Sequence, residues 1–110
     1  MNSVTNNEHL LIIKNSKFIS QIYYIDSKED VKEKIELAKE KYPNATHYCY
    51  AYILDETRKE SDDGEPSGTA GIPILQVLEK NNLNHTLCII IRYFGKIKLG
   101  AGGLVIAYTK

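Results

Sequence analysis

The sequence predicts a single α/β (α+β) domain built on a mixed sheet with helices packed on it, and three observations carry that prediction. Short β-rich runs are separated by stretches of helical periodicity. The run Leu87-Cys88-Ile89-Ile90-Ile91 is apolar at every position, as a central strand covered on both faces requires. Finally, 110 residues, 43 % hydrophobic and 25 % charged, supply one core and not two. The predicted order is strand, strand, helix, strand, helix, strand, helix.

Each element has its own signal. Leu10-Leu11-Ile12-Ile13 and Phe18-Ile19 through Ile25 flank the polar Lys14-Asn15-Ser16-Lys17, which predicts an antiparallel hairpin. Ser27 with Asp30 forms a capping-box-like start. Val31, Ile35, Ala38 and Tyr42 then lay one apolar stripe along a helix over about 28–41, its other faces charged and solvated, and Pro43-Asn44 ends it. In His47–Leu54, alternation puts Tyr48, Tyr50 and Tyr52 on one side and Cys49, Ala51 and Ile53 on the other. Residues 55–68 are the least regular stretch. A second helix is predicted over about 70–80, with Pro73 in its first turn, an inner face of Ile74, Leu75 and Leu78, and Asn81-Asn82 at its end. The glycines from Gly100 to Gly103 lead into a last helical pattern, Leu104–Tyr108, that has barely two turns before Lys110. That brevity is expected to leave the domain marginal, or to favour a homodimer.

Composition excludes several classes. Fourteen Lys/Arg balance fourteen Asp/Glu, so bulk charge is not a means of gripping nucleic acid, although a local basic face is. No apolar run approaches the roughly 20 residues that span a bilayer, and Met1–Leu10 lack the order of a signal peptide. Cys49 and Cys88 have no Cys-x-x-Cys spacing and read as small core residues. The default expectation is a cytoplasmic protein with no membrane partner and no DNA specificity.

Three segments carry candidate chemistry. In Ser61-Asp62-Asp63-Gly64-Glu65-Pro66-Ser67-Gly68-Thr69-Ala70-Gly71, the carboxylates of Asp62, Asp63 and Glu65 are hard oxygen ligands suited to magnesium, or they form an acidic turn shaped by glycine and proline. In Arg92-Tyr93-Phe94-Gly95-Lys96-Ile97-Lys98-Leu99-Gly100, basic and aromatic side chains are suited to holding phosphates and stacking bases. Alternatively, Arg92 pairs with one of Asp62, Asp63 or Glu65 and fixes the long loop. The glycine turn, with Gly100, Gly102 and Gly103, offers unpaired N–H groups to an anion or packs closely against a neighbour. His47 is a possible general base, or a strand-start histidine satisfied by a backbone group. The tyrosine row is either a stacking platform or cross-strand packing. From 55 to 65 there are six acids and two bases, whereas from 92 to 110 there are four bases and no acids. The two segments are expected to meet around one cleft.

Ala45-Thr46-His47-Tyr48-Cys49-Tyr50-Ala51-Tyr52, the Ser61–Gly71 stretch, Arg92-Tyr93-Phe94-Gly95 and Lys98-Leu99-Gly100-Ala101-Gly102-Gly103-Leu104-Val105 together resemble the Impact family, in its bacterial YigZ-like branch. The resemblance covers about residues 14–109. It departs at Lys96, where the family usually has glycine, and at Ile106, where it usually has a basic residue. The resemblance implies a two-layer fold like the second domain of a small-subunit ribosomal protein and domain IV of elongation factor G. That fold has a mixed sheet with helices on one face and a left-handed crossover. It also implies that residues 1–110 form the family's N-terminal domain, cut short at its last helix and lacking a second, ferredoxin-like domain.

The function expected on these grounds is a non-enzymatic, translation-associated regulatory domain binding RNA or a ribosome-linked partner, with no cofactor. Arg92, Lys96 and Lys98 would contact phosphates, Tyr93 or Phe94 would stack, and Gly100, Gly102, Gly103 and His47 would line the surface. The alternatives are a magnesium-dependent nucleotide or phosphate enzyme, in which Asp62, Asp63 and Glu65 hold magnesium, Gly100 to Gly103 cradle phosphate and His47 acts as base, and a protein–protein adaptor; Thr69 is a further candidate in the acidic loop.

Overall fold

The computed structural model describes residues 7–13 and 16–93. The predicted last helix and the candidates Phe94, Lys96, Lys98, Gly100, Gly102 and Gly103 lie outside them. The described elements are β1 (Asn7–Ile13), β2 (Ser16–Tyr24), α1 (Lys28–Lys41), β3 (His47–Leu54), β4 (Thr57–Ser61), α2 (Gly71–Lys80) and β5 (Thr86–Tyr93). The α/β class holds. Strand β4, which the sequence reading leaves inside an irregular stretch, is the added element. Its residues, Thr-Arg-Lys-Glu-Ser, have no apolar alternation, and as an outer strand it leaves every one of them exposed or half-buried.

Local chemistry explains the helix limits. Ser27 caps α1 by accepting from the Asp30 N–H at 3.2 Å, while the Asp30 carboxylate reaches back to the Asp26 N–H at 2.8 Å. At the other end the Tyr42 N–H still bonds the Ala38 carbonyl, and Asn44 then turns the chain away at φ +60°. Helix α2 begins on Ala70, which has no side-chain cap to offer. Asn81 ends it by returning both its backbone N–H and its side-chain amide to the Val77 carbonyl.

All neighbouring strands pair antiparallel in the order β1-β2-β5-β3-β4, so β5 is central despite coming last. Where a mixed sheet with helices on one face was the expectation, the described sheet is antiparallel throughout and carries α1 and α2 on opposite faces. Both sides of β3 and β5 are apolar, so each needs a cover. Val31 and Ala38 of α1 pack over Tyr52, Leu87, Ile89 and Ile91. Ile74 and Leu78 of α2 pack over Cys49, Ala51, Ile53, Cys88 and Ile90.

This arrangement fixes a point of handedness. Strands β2 and β3 both run antiparallel to β5, so they are parallel to each other and joined across it by α1. Likewise β4 and β5 are parallel, joined across β3 by α2. A half-turn of the sheet in its own plane superimposes the two steps but leaves their helices on opposite faces. The two crossovers therefore have opposite hands, and one is left-handed, against the strong general preference for the right-handed form.

Candidate functional site

The candidates that lie among the described residues meet at one end of the sheet, where β5 ends, β3 begins and the loop from β4 to α2 folds back. Register sets Arg92 beside His47 of β3 and Phe18 of β2. Alternation along β5 sends Arg92 to the α2 face, together with Cys88 and Ile90. A guanidinium there needs a counter-charge. Glu65 supplies it: its Oε1 accepts from Arg92 Nη1 at 2.6 Å, and the side chains are 2 % and 1 % exposed. The guanidinium also lies over the Phe18 ring, 5.5 Å from its centroid. His47 completes the group, with Nε2 3.4 Å from the same carboxylate oxygen and Nδ1 2.6 Å from the Asp63 carbonyl oxygen. A carbonyl only accepts, so Nδ1 is the donor.

The rest of the acidic loop is anchored one carboxylate at a time. Asp62 faces the start of α2, where Oδ1 accepts from the N–H groups of Ala70 (3.2 Å) and Gly71 (2.8 Å), and Oδ2 from that of Gly68 (3.0 Å). It is the remote cap that Ala70 cannot be, placed where the helix dipole favours negative charge. The Asp63 carboxylate accepts from the Tyr48 N–H at 2.6 Å. The Asp62 carbonyl accepts from the Cys49 thiol at 3.1 Å. Thr69 is buried and returns both its hydroxyl and its N–H to the Pro66 carbonyl.

Two glycines make this folding possible. Gly64, at φ +88°, lets the chain pass so close to His47 that a Cβ there would sit 3.3 Å from the ring. Gly71 starts α2 against β4, where a Cβ would come within 2.8 Å of the Ser61 nitrogen.

The tyrosine row lies under α1. Tyr52 is buried, and the Tyr48 hydroxyl donates to the Tyr42 carbonyl at 2.6 Å. Tyr93 donates to the Pro43 carbonyl at 2.9 Å, so two hydroxyls pin the α1–β3 loop. These rings are packing and loop anchors, and they form no open platform. Partial burial pushes the Tyr93 phenol upward, with neighbouring Tyr48 adding to the shift. Complete burial drives the Cys88 thiol up to about 11, which keeps it an inert core group.

At the far end of the sheet a second histidine has a similar setting. His85 places Nδ1 2.9 Å from the Ile25 carbonyl and Nε2 3.0 Å from Asp55 Oδ1, and its ring stacks on Tyr24. The Asp55 carboxylate above all, then the Ile25 carbonyl, raises the His85 pKa above the ordinary 6.5. This cluster is solvent-facing, and the sequence reading gave it no role.

Measured against expectation, Arg92 is corrected as a phosphate contact. It is buried, and the Glu65 carboxylate holds it. The acidic loop and the end of β5 do meet, but around a buried ion pair instead of an open cleft. Asp62, Asp63 and Glu65 each turn to a different internal partner, and no group of three His, Cys, Asp or Glu among the described residues stands close enough to hold a metal. Asp62 as a helix cap was missed because its donors lie six to nine residues downstream. No local signal pointed to it: Thr69 stands just before the predicted start at about residue 70, and in the fold its hydroxyl turns to the Pro66 carbonyl instead.

Residues 14–110 match the family model described as the Impact N-terminal domain. The chain is 47 % identical over 106 residues to the IMPACT family member YvyE of Bacillus subtilis, covering 94 % of this chain and 49 % of that protein. It is 40 % identical over 101 residues to YigZ of Escherichia coli, covering 87 % of this chain and 50 % of YigZ. It thus spans about half the length of these curated relatives. A crystal structure of a hypothetical protein superposes with a TM-score of 0.91 at 36 % identity, over 94 % of this chain and 53 % of that one. The two-domain translational regulator Yih1 shares the fold, with a TM-score of 0.61 at 18 % identity over 94 % of this chain and 44 % of Yih1.

Proposed function

This chain belongs to the Impact family, and from that premise we propose that it is a translation-associated regulatory domain, without catalysis of its own, that binds RNA through the basic segment following β5. The observation that carries this reading is the ownership of charge. Asp62, Asp63, Glu65 and Arg92 are each engaged inside the fold, so they serve to hold one end of the sheet. The strand end they hold is the one from which Phe94-Gly95-Lys96-Ile97-Lys98 issues. In this reading Lys96 and Lys98 contact phosphates, Phe94 stacks on a base, and Gly100, Gly102 and Gly103 allow close backbone approach. The tyrosine next to them, Tyr93, is a positioning residue, since its hydroxyl is committed to Pro43. The shared fold with a translational regulator supports the same direction by analogy.

The test is RNA binding by the chain and by its Lys96→Ala/Lys98→Ala variant across a salt series. Losing two phosphate contacts weakens binding and lowers the slope of log K against log salt by about 1.4 for single-stranded RNA. Unchanged affinity and slope in the variant would reject the assignment. No thermal shift is expected across a panel of magnesium nucleotides; a clear shift would favour the phosphate-enzyme reading instead.

A further inference from the structure

We propose that the outer edge of β1 is a self-association surface that takes the β1 strand of a second copy of this chain, antiparallel about Leu11. The two edges of the sheet contrast sharply. β4 is five residues long and presents Arg58, Lys59 and Glu60, charges of the kind that guard an edge against further pairing. β1 is seven residues long and ends in Leu10-Leu11-Ile12-Ile13, with no pairing partner on its outer side among the described residues. Its carboxylate gives no such protection. Glu8 folds back over the sheet to Gln21 (2.8 Å), Tyr42 (2.7 Å) and Lys41 (3.2 Å), so its charge is spent within the subunit.

Leu10 and Ile12 lie on the α1 face of β1 yet are 54 % and 58 % exposed, while the buried residues of α1 pack over β3 and β5. Beside them an open groove of ≈ 380 Å³ is lined by Leu10, Ile19, Tyr42, Glu8, His9 and Lys17. A second copy suits this surface because the strand is self-complementary. Pairing about a two-fold axis at Leu11 keeps both copies' α1 faces on one side and sets Leu10 against Ile12 of the second copy, and Ile12 against its Leu10. Four half-exposed aliphatic side chains then cover one another. The Glu8 carboxylates stand three residues from the axis on either side, too far apart to repel strongly. Moving the axis to Leu10 would instead set Glu8 against Ile12. The apolar pattern therefore selects the Leu11 register.

Sedimentation equilibrium of the chain over a wide concentration range tests this, beside Leu10→Lys/Ile12→Lys and the control Ile72→Lys on α2. A concentration-dependent monomer–dimer equilibrium is expected. The double variant should weaken it at least tenfold with its unfolding transition retained, and the control should leave it unchanged. Register is read by mild oxidation of Leu11→Cys and Asn7→Cys. Directly opposed strand residues fall within the Cα separation a disulfide spans, so Leu11→Cys cross-links and Asn7→Cys does not. Buried Cys49 and Cys88 do not compete. A monomer at every concentration, a dimer indifferent to the two lysines, or failure of the Leu11→Cys cross-link would each overturn the proposal.

Discussion

Two histidines at opposite ends of one sheet have nearly the same immediate partners, a backbone carbonyl at Nδ1 and a carboxylate at Nε2. His47 shares its carboxylate with a guanidinium, and that pair is almost wholly removed from water. His85 and Asp55 face the solvent. The difference teaches that partner lists do not rank interactions; burial does. An exposed ion pair gains little because water and salt screen it. A buried pair adds modest net stability, yet losing one member strands the other's charge in a place water cannot reach.

The comparison can be broken most decisively at Glu65. Glu65→Ala leaves Arg92 buried without its carboxylate and should cost about 3–5 kcal/mol in urea unfolding. Glu65→Leu/Arg92→Met removes both charges and should recover most of that loss. A double variant no better than Glu65→Ala would mean that the ion pair itself holds this end together. Gly71→Ala comes next, at about 1–3 kcal/mol, because the added methyl meets the β4 backbone at Ser61, which cannot yield, as well as the Glu60 carboxylate, which can. Asp62→Ala removes the acceptor shared by three N–H groups and should cost about 1–2 kcal/mol, with hydrogen exchange quickening first at Gly68–Gly71.

The smallest effect belongs to the exposed end and is one of pH. His85 has a raised folded-state pKa, so its contribution is complete below the ordinary 6.5 and is lost as pH rises through the folded value. In His85→Asn the stability profile should be flatter just above pH 6.5 and should meet the parent's at higher pH. An unaltered profile would show that the cluster contributes nothing to folding.

Much of this fold was legible in the residues, and what was not has a common cause. The limits of α1 follow from the Ser27 cap and the four-residue apolar stripe, both local. The central place of β5 follows from its unbroken apolar run. Strand β4 escaped detection because none of its residues is apolar and none is fully buried, so it carries no alternation to read. The opposite placement of α1 and α2 was implicit in β3, where tyrosines on one side and Cys49, Ala51 and Ile53 on the other both call for burial. At the candidate site the residues were identified but their partners were not. Arg92 had three acids to choose from, and only the tertiary path of the loop selects Glu65. Asp62 reads as a ligand in isolation and becomes a cap only once α2 is brought against β4.

The strand order carries a consequence for how the molecule is assembled. Before residues 86–93 are in place, the preceding chain can form only two disjoined hairpins, β1–β2 and β3–β4, with no ladder between them. The last described strand to leave a ribosome is thus the one that welds the halves, and it must enter with neighbours already waiting on both sides. Such late, long-range closure makes for slow folding. Pulse-labelled exchange should find amides of β2, β3 and β5 becoming protected in a single step, with β5 acting as the keystone of the sheet.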